Sequence, residues 1–546
     1  MQSLSYSHGV SDIPLKGETI GDSLFETVQK YPNSEALVVA SQDYRATYQE
    51  LWDQVEEVAK SLIAHGIQKG DRVGIWAPNR FEWVLVQFAT ARVGAIMVNI
   101  NPAYKDSALK YALEQSTINL LIASHYFRKT DYVEILNHIR PDCEFPKRTV
   151  IIEKDWEKFI LAGKKITDDI LHEREATLQF DDPINIQYTS GTTGYPKGAT
   201  LTHHNILNNG FFIGERLQYT EKDRVCIPVP FYHCFGMVLG NMACITHGAC
   251  MVIPGEVFEP ETVMKTVEIE KCTALYGVPT MFIAELEHPN FSKYNYSSLR
   301  TGIMAGSPCP IETMKQVVSK MNMTEVTVCY GMTETSPVST QSECHDPIQK
   351  RVSTVGTVHP HIEVKIVNPE TGRIVPRGEQ GELCTRGYSV MIGYWGMPED
   401  TAKVLDINGW MHTGDLAIMD EVGYVKISGR IKDIIIRGGE NISPKEIEDF
   451  LMTHQAVADV QIIGVPDLRY GEEVMAWVKI REGFEVTFDE LKEYCKGQIA
   501  TFKIPKYWKS VDEFPMTVSG KVRKVEMREI SIKELGLEEA AKILTA

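Results

Sequence analysis

A chain of 546 residues with a formal net charge of −17 is too long for a single hydrophobic core and too acidic for unspecific binding to nucleic acid or anionic membranes. Hydrophobic residues at 43% and charged residues at 24% exclude wholesale disorder. Eleven dispersed cysteines, with no C-x-x-C and no Cys/His cluster at zinc spacing, read as reduced thiols rather than a disulfide framework.

The opening MQSLSYSHGVSDIPLKGETIGDSLFE has no cationic segment followed by an apolar run, and the first arginine is Arg45, so neither a secretory leader nor an Arg-rich transit peptide is expected. The most apolar long stretch, residues 83–99, is interrupted by Arg92 and falls short of a membrane span. The expectation is a cytoplasmic protein, monomer or homodimer, with no integral membrane association and no nucleic-acid partner.

From about residue 35 to 330, apolar strand-like runs alternate with helical patterns. RVGIWA (72–77) precedes EWVLVQFATARVG (82–94), and AIMVNI (95–100) precedes LKYALEQS (109–116). NLLIAS (119–124) and TVIIE (149–153) continue the rhythm. This βαβ order predicts an α/β lobe of helix-covered, mostly parallel sheet, with ligands outside the carboxyl ends of its strands. INIQY (184–188) reads as one such strand, and HHNILNNGFFI (203–213) as the helix after a loop. Beyond residue 350, EVKIVNPETGRIVP (363–376), GELCTRG (381–387) and GYVKISG (423–429) suggest a small β subdomain. A small α+β unit follows, its first helix starting at Ser443-Pro444. The resulting division is 1–429, a hinge at 430–433, and 434–546.

The loop between 188 and 204, YTSGTTGYPKGATLTHH, is neither a Walker A motif nor a Rossmann fingerprint. Its parts still suit polyphosphate. Gly191 and Gly194 allow close backbone approach, Thr189, Ser190, Thr192 and Thr193 offer hydroxyls, and Lys197 adds a compact cation.

TSGTTGYPKG, followed in order by YGMTE (330–334), HTGD (412–415), GRIKD (429–433) and SGK (519–521), resembles the adenylate-forming superfamily of acyl-CoA synthetases, peptide-synthetase adenylation domains and firefly-type luciferases. The resemblance spans nearly the whole chain and points to the medium-chain acyl-CoA synthetase branch. It implies an AMP-forming ligase that uses ATP, Mg²⁺ and coenzyme A to turn a carboxylic acid into a thioester through an acyl-adenylate. It implies that residues 189–197 hold the β- and γ-phosphates. Tyr330, with Gly331 and Met332, should flank the adenine, Thr333 should bond the α-phosphate, and Glu334 should hold the magnesium. Ala305, Gly306 and Ser307 should line the adenine pocket, and Asp415 and Arg430 should meet the ribose.

The same resemblance makes Lys432 the hinge of a mobile C-terminal domain, Lys521 the catalytic cation, and Gly439 a residue of the coenzyme A tunnel. His233 in FYHCFG matches the gate beside the reacting carboxylate. Val278, Met281, Met304 and Ala305 give the expected acyl pocket an apolar, adaptable lining, suited to medium-chain or compact cyclic and aromatic acids. No acidic residue stands where an α-amino group would be gripped, which disfavours amino-acid substrates. A stand-alone ligase loading a carrier protein, a luciferase-type oxygenase and a non-catalytic nucleotide sensor are the alternatives.

Overall fold

Two seven-stranded sheets carry the larger part of the chain, and both are built from short apolar runs bracketed by helices. The computed structural model describes residues 3–189, 196–516 and 521–544. In the first sheet, Pro183–Thr189, Ile96–Asn99, Arg72–Trp76, Leu120–Ala123 and Arg148–Ile151 run parallel in that order. In the second, Glu325–Thr327, Thr301–Met304, Ala274–Gly277, Arg224–Cys226, Cys250–Ile253 and Glu35–Val39 are parallel, and Tyr44–Thr47 closes the edge antiparallel. Strands buried on both faces read as continuous hydrophobic runs, as LLIA (120–123) and CMVI (250–253) do.

Period-two alternation distributes these side chains among three cores. Val73 and Ile75 of the first sheet share a central core with Leu37, Val39, Met251, Ile253 and Tyr276 of the second. Helices Ile20–Lys30, Tyr48–Ala64, Phe81–Val93 and His203–Arg216 fill that core. Thr19/Asp22, Thr47/Glu50 and Thr202/Asn205 form capping boxes that start three of them. The outer face of the second sheet packs on a separate cluster with Val263, Val267, Met314 and Val317, and that of the first on one with Leu109, Leu113, Ile135 and Ile139.

Contact density divides the chain into two units. One comprises Tyr6–Val364 and Cys384–His412, with both large sheets. The other comprises Met1–Ser5, Lys365–Leu383 and Thr413–Ala546. Within the second unit, Gly471–Ile480 pairs with Val457–Asp467, Ile435–Arg437 and Tyr507–Ser510, and helices Pro444–Leu451, Phe488–Cys495 and Lys524–Leu535 pack on this sheet. Among the described residues, no helix is long and apolar enough to cross a membrane.

One sequence expectation needs revision. The helix at 203 does not directly follow the glycine-rich segment, because Lys197–Thr202 forms a strand antiparallel to Pro183–Thr189. The segment therefore closes a hairpin, and its residues 198–202 are buried in the sheet, a tertiary effect that outweighs the turn-like composition.

The helix Phe81–Val93 is buried along its length and still carries a charge, Arg92. It is fully buried, its guanidinium 3.7 Å above the Trp52 ring, with Nε 2.6 Å from Glu175 Oε1 and a terminal nitrogen 3.4 Å from Glu56 Oε2. Arg92→Ala strips the cation from two partly buried carboxylates. It should cost about 3 kcal/mol, read as a lowered urea midpoint for the larger unit.

Candidate active site

The parallel strands of the first unit deliver the predicted site segments from their carboxyl ends. Thr189 ends one strand and faces Lys197 across the hairpin, where its hydroxyl donates to the Lys197 carbonyl at 3.3 Å. Ser190, Gly191, Thr192, Thr193 and Gly194 lie outside the described residues. Lys197 Nζ sits 2.8 Å from Asp400 Oδ1 and 5.1 Å from the Tyr394 ring centroid. Lys197 and Lys403 together hold the Asp400 carboxyl below its usual range by hydrogen bonds and charge.

Tyr394 connects this cation to the YGMTE segment. It lies on the short strand Gly393–Tyr394, paired with Ala199 and Thr200 of the hairpin. Its hydroxyl donates to Glu334 Oε1 at 2.8 Å, and the Met391 amide donates to the Glu334 carbonyl at 2.9 Å. Burial, the nearby Glu334 charge and this bond push the Tyr394 phenol well up. Glu334 and Thr333 are buried in the single turn Thr333–Thr335. That turn is pinned by its own backbone, with the Thr335 hydroxyl and the Met332 amide both donating to the Pro337 carbonyl at 2.6 and 3.0 Å. Gly331 permits the close approach, since a Cβ there would stand 1.7 Å from the Pro337 oxygen. Tyr330 and Met332, on either side, are half-buried.

Ala305 and Gly306 follow the strand Thr301–Met304, beside Gly277 and Val278 at the end of the neighbouring strand. The Ala305 amide donates to the Gly277 carbonyl at 3.3 Å, and a methyl on Gly306 would come within 3.2 Å of Val278 Cγ1. Ser307 is exposed. Val278 and Ala305 belong to the central core cluster, with Met281 and Met332 packed against it. Met304 does not join them: one residue along the strand, it faces the outer cluster with Leu275, Phe282 and Met314. His233 is half-buried, and its Nδ1 accepts from the Phe235 amide at 3.2 Å, which leaves the proton of a neutral ring on Nε2.

In the second unit, Asp415 and Arg430 are directly opposed on adjacent antiparallel strands, Arg430 Nε lying 3.0 Å from Asp415 Oδ1. Asp415 is buried and Arg430 exposed. Lys432 is exposed in the turn Ile431–Asp433. Gly439 shares a two-glycine hairpin turn with Gly438, at φ +92° and +60°. A Cβ on Gly439 would meet no heavy atom within 4 Å, so this turn requires glycine for its backbone angle rather than for space.

Lys521 is half-buried, next to a bridge between Met516 and Val522. Its basic neighbours are engaged: Arg523 with Glu526, Lys524 with Glu448 at 2.6 Å, and Arg528 with Glu472 at 2.8 Å. Two further cations near the turn are also engaged, Arg437 bidentately by buried Glu473 and Lys445 by Asp449.

Sequence reasoning selected Lys197 and Glu334 but missed Tyr394 and Asp400, which join them. A tyrosine in GYWG and an acid in a short Pro-started helix carry no chemical signature of their own.

The segments that resemble adenylate-forming motifs thus fall in both units, Lys197, Ala305, Tyr330 and Glu334 in one and Asp415, Arg430 and Lys521 in the other. Comparison with known proteins makes this specific. The chain belongs to the AMP-binding enzyme family, matching it over residues 24–395 and its C-terminal domain over 446–521, and it is an AMP-forming acyl-CoA synthetase. It is 50% identical over 539 residues to a Bacillus subtilis (strain 168) protein named acyl-CoA synthetase YngI, covering 95% of this chain and 98% of that one. It is 43% identical over 554 residues to the mitochondrial medium-chain acyl-CoA ligase ACSF2 of Danio rerio, covering 98% and 91%. Among solved structures, ATP-bound MatB from Rhodopseudomonas palustris superposes with a TM-score of 0.81 at 28% identity, covering 94% of this chain and 99% of that one. The anthranilate CoA ligase AuaEII with anthranoyl-AMP also gives 0.81, at 25% identity with 95% and 98% covered.

Tyr394→Phe removes a hydrogen bond from a buried carboxylate. A hydrogen bond to a charged group is worth about 1.5–3 kcal/mol. The variant should therefore lose thermal stability and raise the KM for magnesium-ATP, both measurable on purified protein.

Proposed function

We propose that this enzyme activates medium-chain or compact cyclic and aromatic carboxylic acids and passes them to free coenzyme A. The observation that carries the proposal is the chain of contacts Lys197–Tyr394–Glu334, which joins the hairpin to a buried carboxylate through a tyrosine of the same apolar cluster as Val278 and Ala305, with Met281 packed against it. The printed name of the ACSF2 relatives, medium-chain acyl-CoA ligase, agrees with that lining.

In the first half-reaction the acid's carboxylate oxygen attacks the α-phosphorus of ATP, the bond to the β-phosphate breaks, and pyrophosphate leaves. Lys197 and the hydroxyls of 189–193 neutralise and hold the departing phosphates. Thr333 donates to the α-phosphate, and His233, carrying its proton on Nε2, stands at the acid. Asp415 accepts from the ribose hydroxyls, oriented by Arg430. Glu334 fits magnesium: it is a hard oxygen donor, buried, and oriented by the Tyr394 hydroxyl. When bound, that ion would supply positive charge to the phosphate oxygens.

In the second half-reaction the thiol sulfur attacks the acyl carbon and AMP leaves. Lys521 serves only the first, as a preorganised cation between carboxylate and α-phosphate. The smaller domain, turning about Lys432 in 430–433, withdraws it and presents Gly439 to the thiol arm. One thioester forms for one phosphoanhydride cleaved to AMP, so the reaction is close to reversible unless pyrophosphate is removed.

A coenzyme A-dependent AMP-release screen over straight, branched, cyclic and aromatic acids tests the substrate class, and short polar acids as the best substrates would reject it. Discharge of acyl-AMP by a holo-carrier protein but not by coenzyme A would reassign the acceptor. Lys521→Ala should reduce acyl-AMP formation by on the order of 10²-fold while thioester formation from supplied acyl-AMP survives, with single-turnover assays separating the two.

A further inference from the structure

The strand Pro183–Thr189, third in the first sheet, carries two amides where a buried strand ordinarily carries aliphatic residues. Asn185 and Gln187, each 2% exposed, lie two residues apart and so share one face, which Thr189 continues at the strand end. Buried amides are costly unless their donors and acceptors are met. Gln187 meets both: its Nε2 donates to the Tyr232 carbonyl at 2.8 Å, and its Oε1 accepts the Cys234 thiol proton at 3.0 Å.

Those two contacts bracket His233 in the chain. The same segment is gripped further along. Gln87 donates to the Met237 carbonyl at 3.3 Å and accepts from the Asn241 amide at 2.7 Å. Asn99, itself bonded by Asn185 at 3.0 Å, donates to Met237 Sδ at 3.3 Å. The gripped residues run into the wholly buried π-helix Phe235–Met242, a rare wide helix that recurs at functional sites. Gly236 closes the other side: a Cβ there would stand 2.5 Å from the Pro230 carbonyl oxygen, so the segment has no room to slide that way.

We infer that Gln187 is a positioning residue that ties the His233 segment to the strand delivering Thr189 and the phosphate hairpin. Along a strand its Cα lies about 7 Å from that of Thr189. One side chain thus sets the spacing between the acid end and the phosphate end of the site. Hydrophobic packing alone would hold Tyr232–Cys234 near the sheet but would leave its sliding and rotation undetermined, because dispersion contacts lack direction. The inference rests on the proposed role of His233 beside the reacting carboxylate, and it predicts a selective defect. Loss of Gln187 moves the acid-binding end and leaves ATP binding in place.

The test uses full-length protein with Gln187→Leu, Cys234→Ala and Cys234→Ser. Two readouts are hydrogen exchange at the amides of His233, Phe235, Gly236 and Met237, and separate KM values for acid and ATP. A hydrogen-bonded clamp of this kind is worth up to about tenfold in each. Gln187→Leu should speed exchange at those amides and raise the acid KM by about that factor, with the ATP KM within about twofold of the parent. Cys234→Ala should show a smaller shift of the same kind, and Cys234→Ser, which keeps a donor, should recover most of it. Unchanged exchange in a folded Gln187→Leu protein, or equal rises in both KM values, would overturn the inference. Should Gln187→Leu fail to fold, the Ala and Ser variants of Cys234 decide, and identical behaviour of the two rejects the clamp. Absence of acid-dependent AMP release from the parent enzyme would sink the functional reading alone, while the exchange experiment still judges the clamp.

Discussion

A carboxylate taken out of water has to be met by a donor or a cation, and Glu334 is the place where this enzyme accepts that requirement. The Tyr394 hydroxyl bonds one of its oxygens, the turn around it is tied to the Pro337 carbonyl, and the Met391 amide holds its backbone. Tyr394 can reach it only because its strand pairs with Ala199 and Thr200, which also places its ring under Lys197. The position of Lys197, the hairpin register and the buried carboxylate are therefore one problem with one solution.

The same logic governs two other polar groups inside the larger unit. Arg92 is buried against Trp52, Glu56 and Glu175, and Gln187 against Tyr232 and Cys234. Each has directional partners from distant parts of the chain. Such groups add little net free energy over apolar replacements, but they select one arrangement among many packings of similar energy. An active site needs that selection, because reacting atoms tolerate small displacements poorly.

The second unit is organised differently. Several of its half-buried cations find carboxylates within the unit, as Arg437 does with Glu473, Lys524 with Glu448 and Arg528 with Glu472. Asp415 and Arg430 face each other across a hairpin two residues before Lys432. The sequence neighbours of Lys521, a lysine whose proposed work is electrostatic, are thus each paired with a carboxylate of the same unit.

The family and the βαβ layout were legible in the sequence, because TSGTTGYPKG, YGMTE, HTGD, GRIKD and SGK are short strings in a fixed order, and short spacings survive in a linear chain. Tertiary structure decided what local spacing cannot encode. It placed Lys197 in a hairpin rather than a strand-to-helix loop, brought Tyr394 across 60 positions to Glu334, and set Asp400 beside Lys197 across 203. It turned Met304 away from Ala305, since adjacent strand residues face opposite sides and only the packed layers show which side is which. It also showed that Gly439 answers to its backbone angle within its own unit. Contacts of this kind follow from how sheets and helices stack, a property of the whole chain at once, and no window of residues contains it.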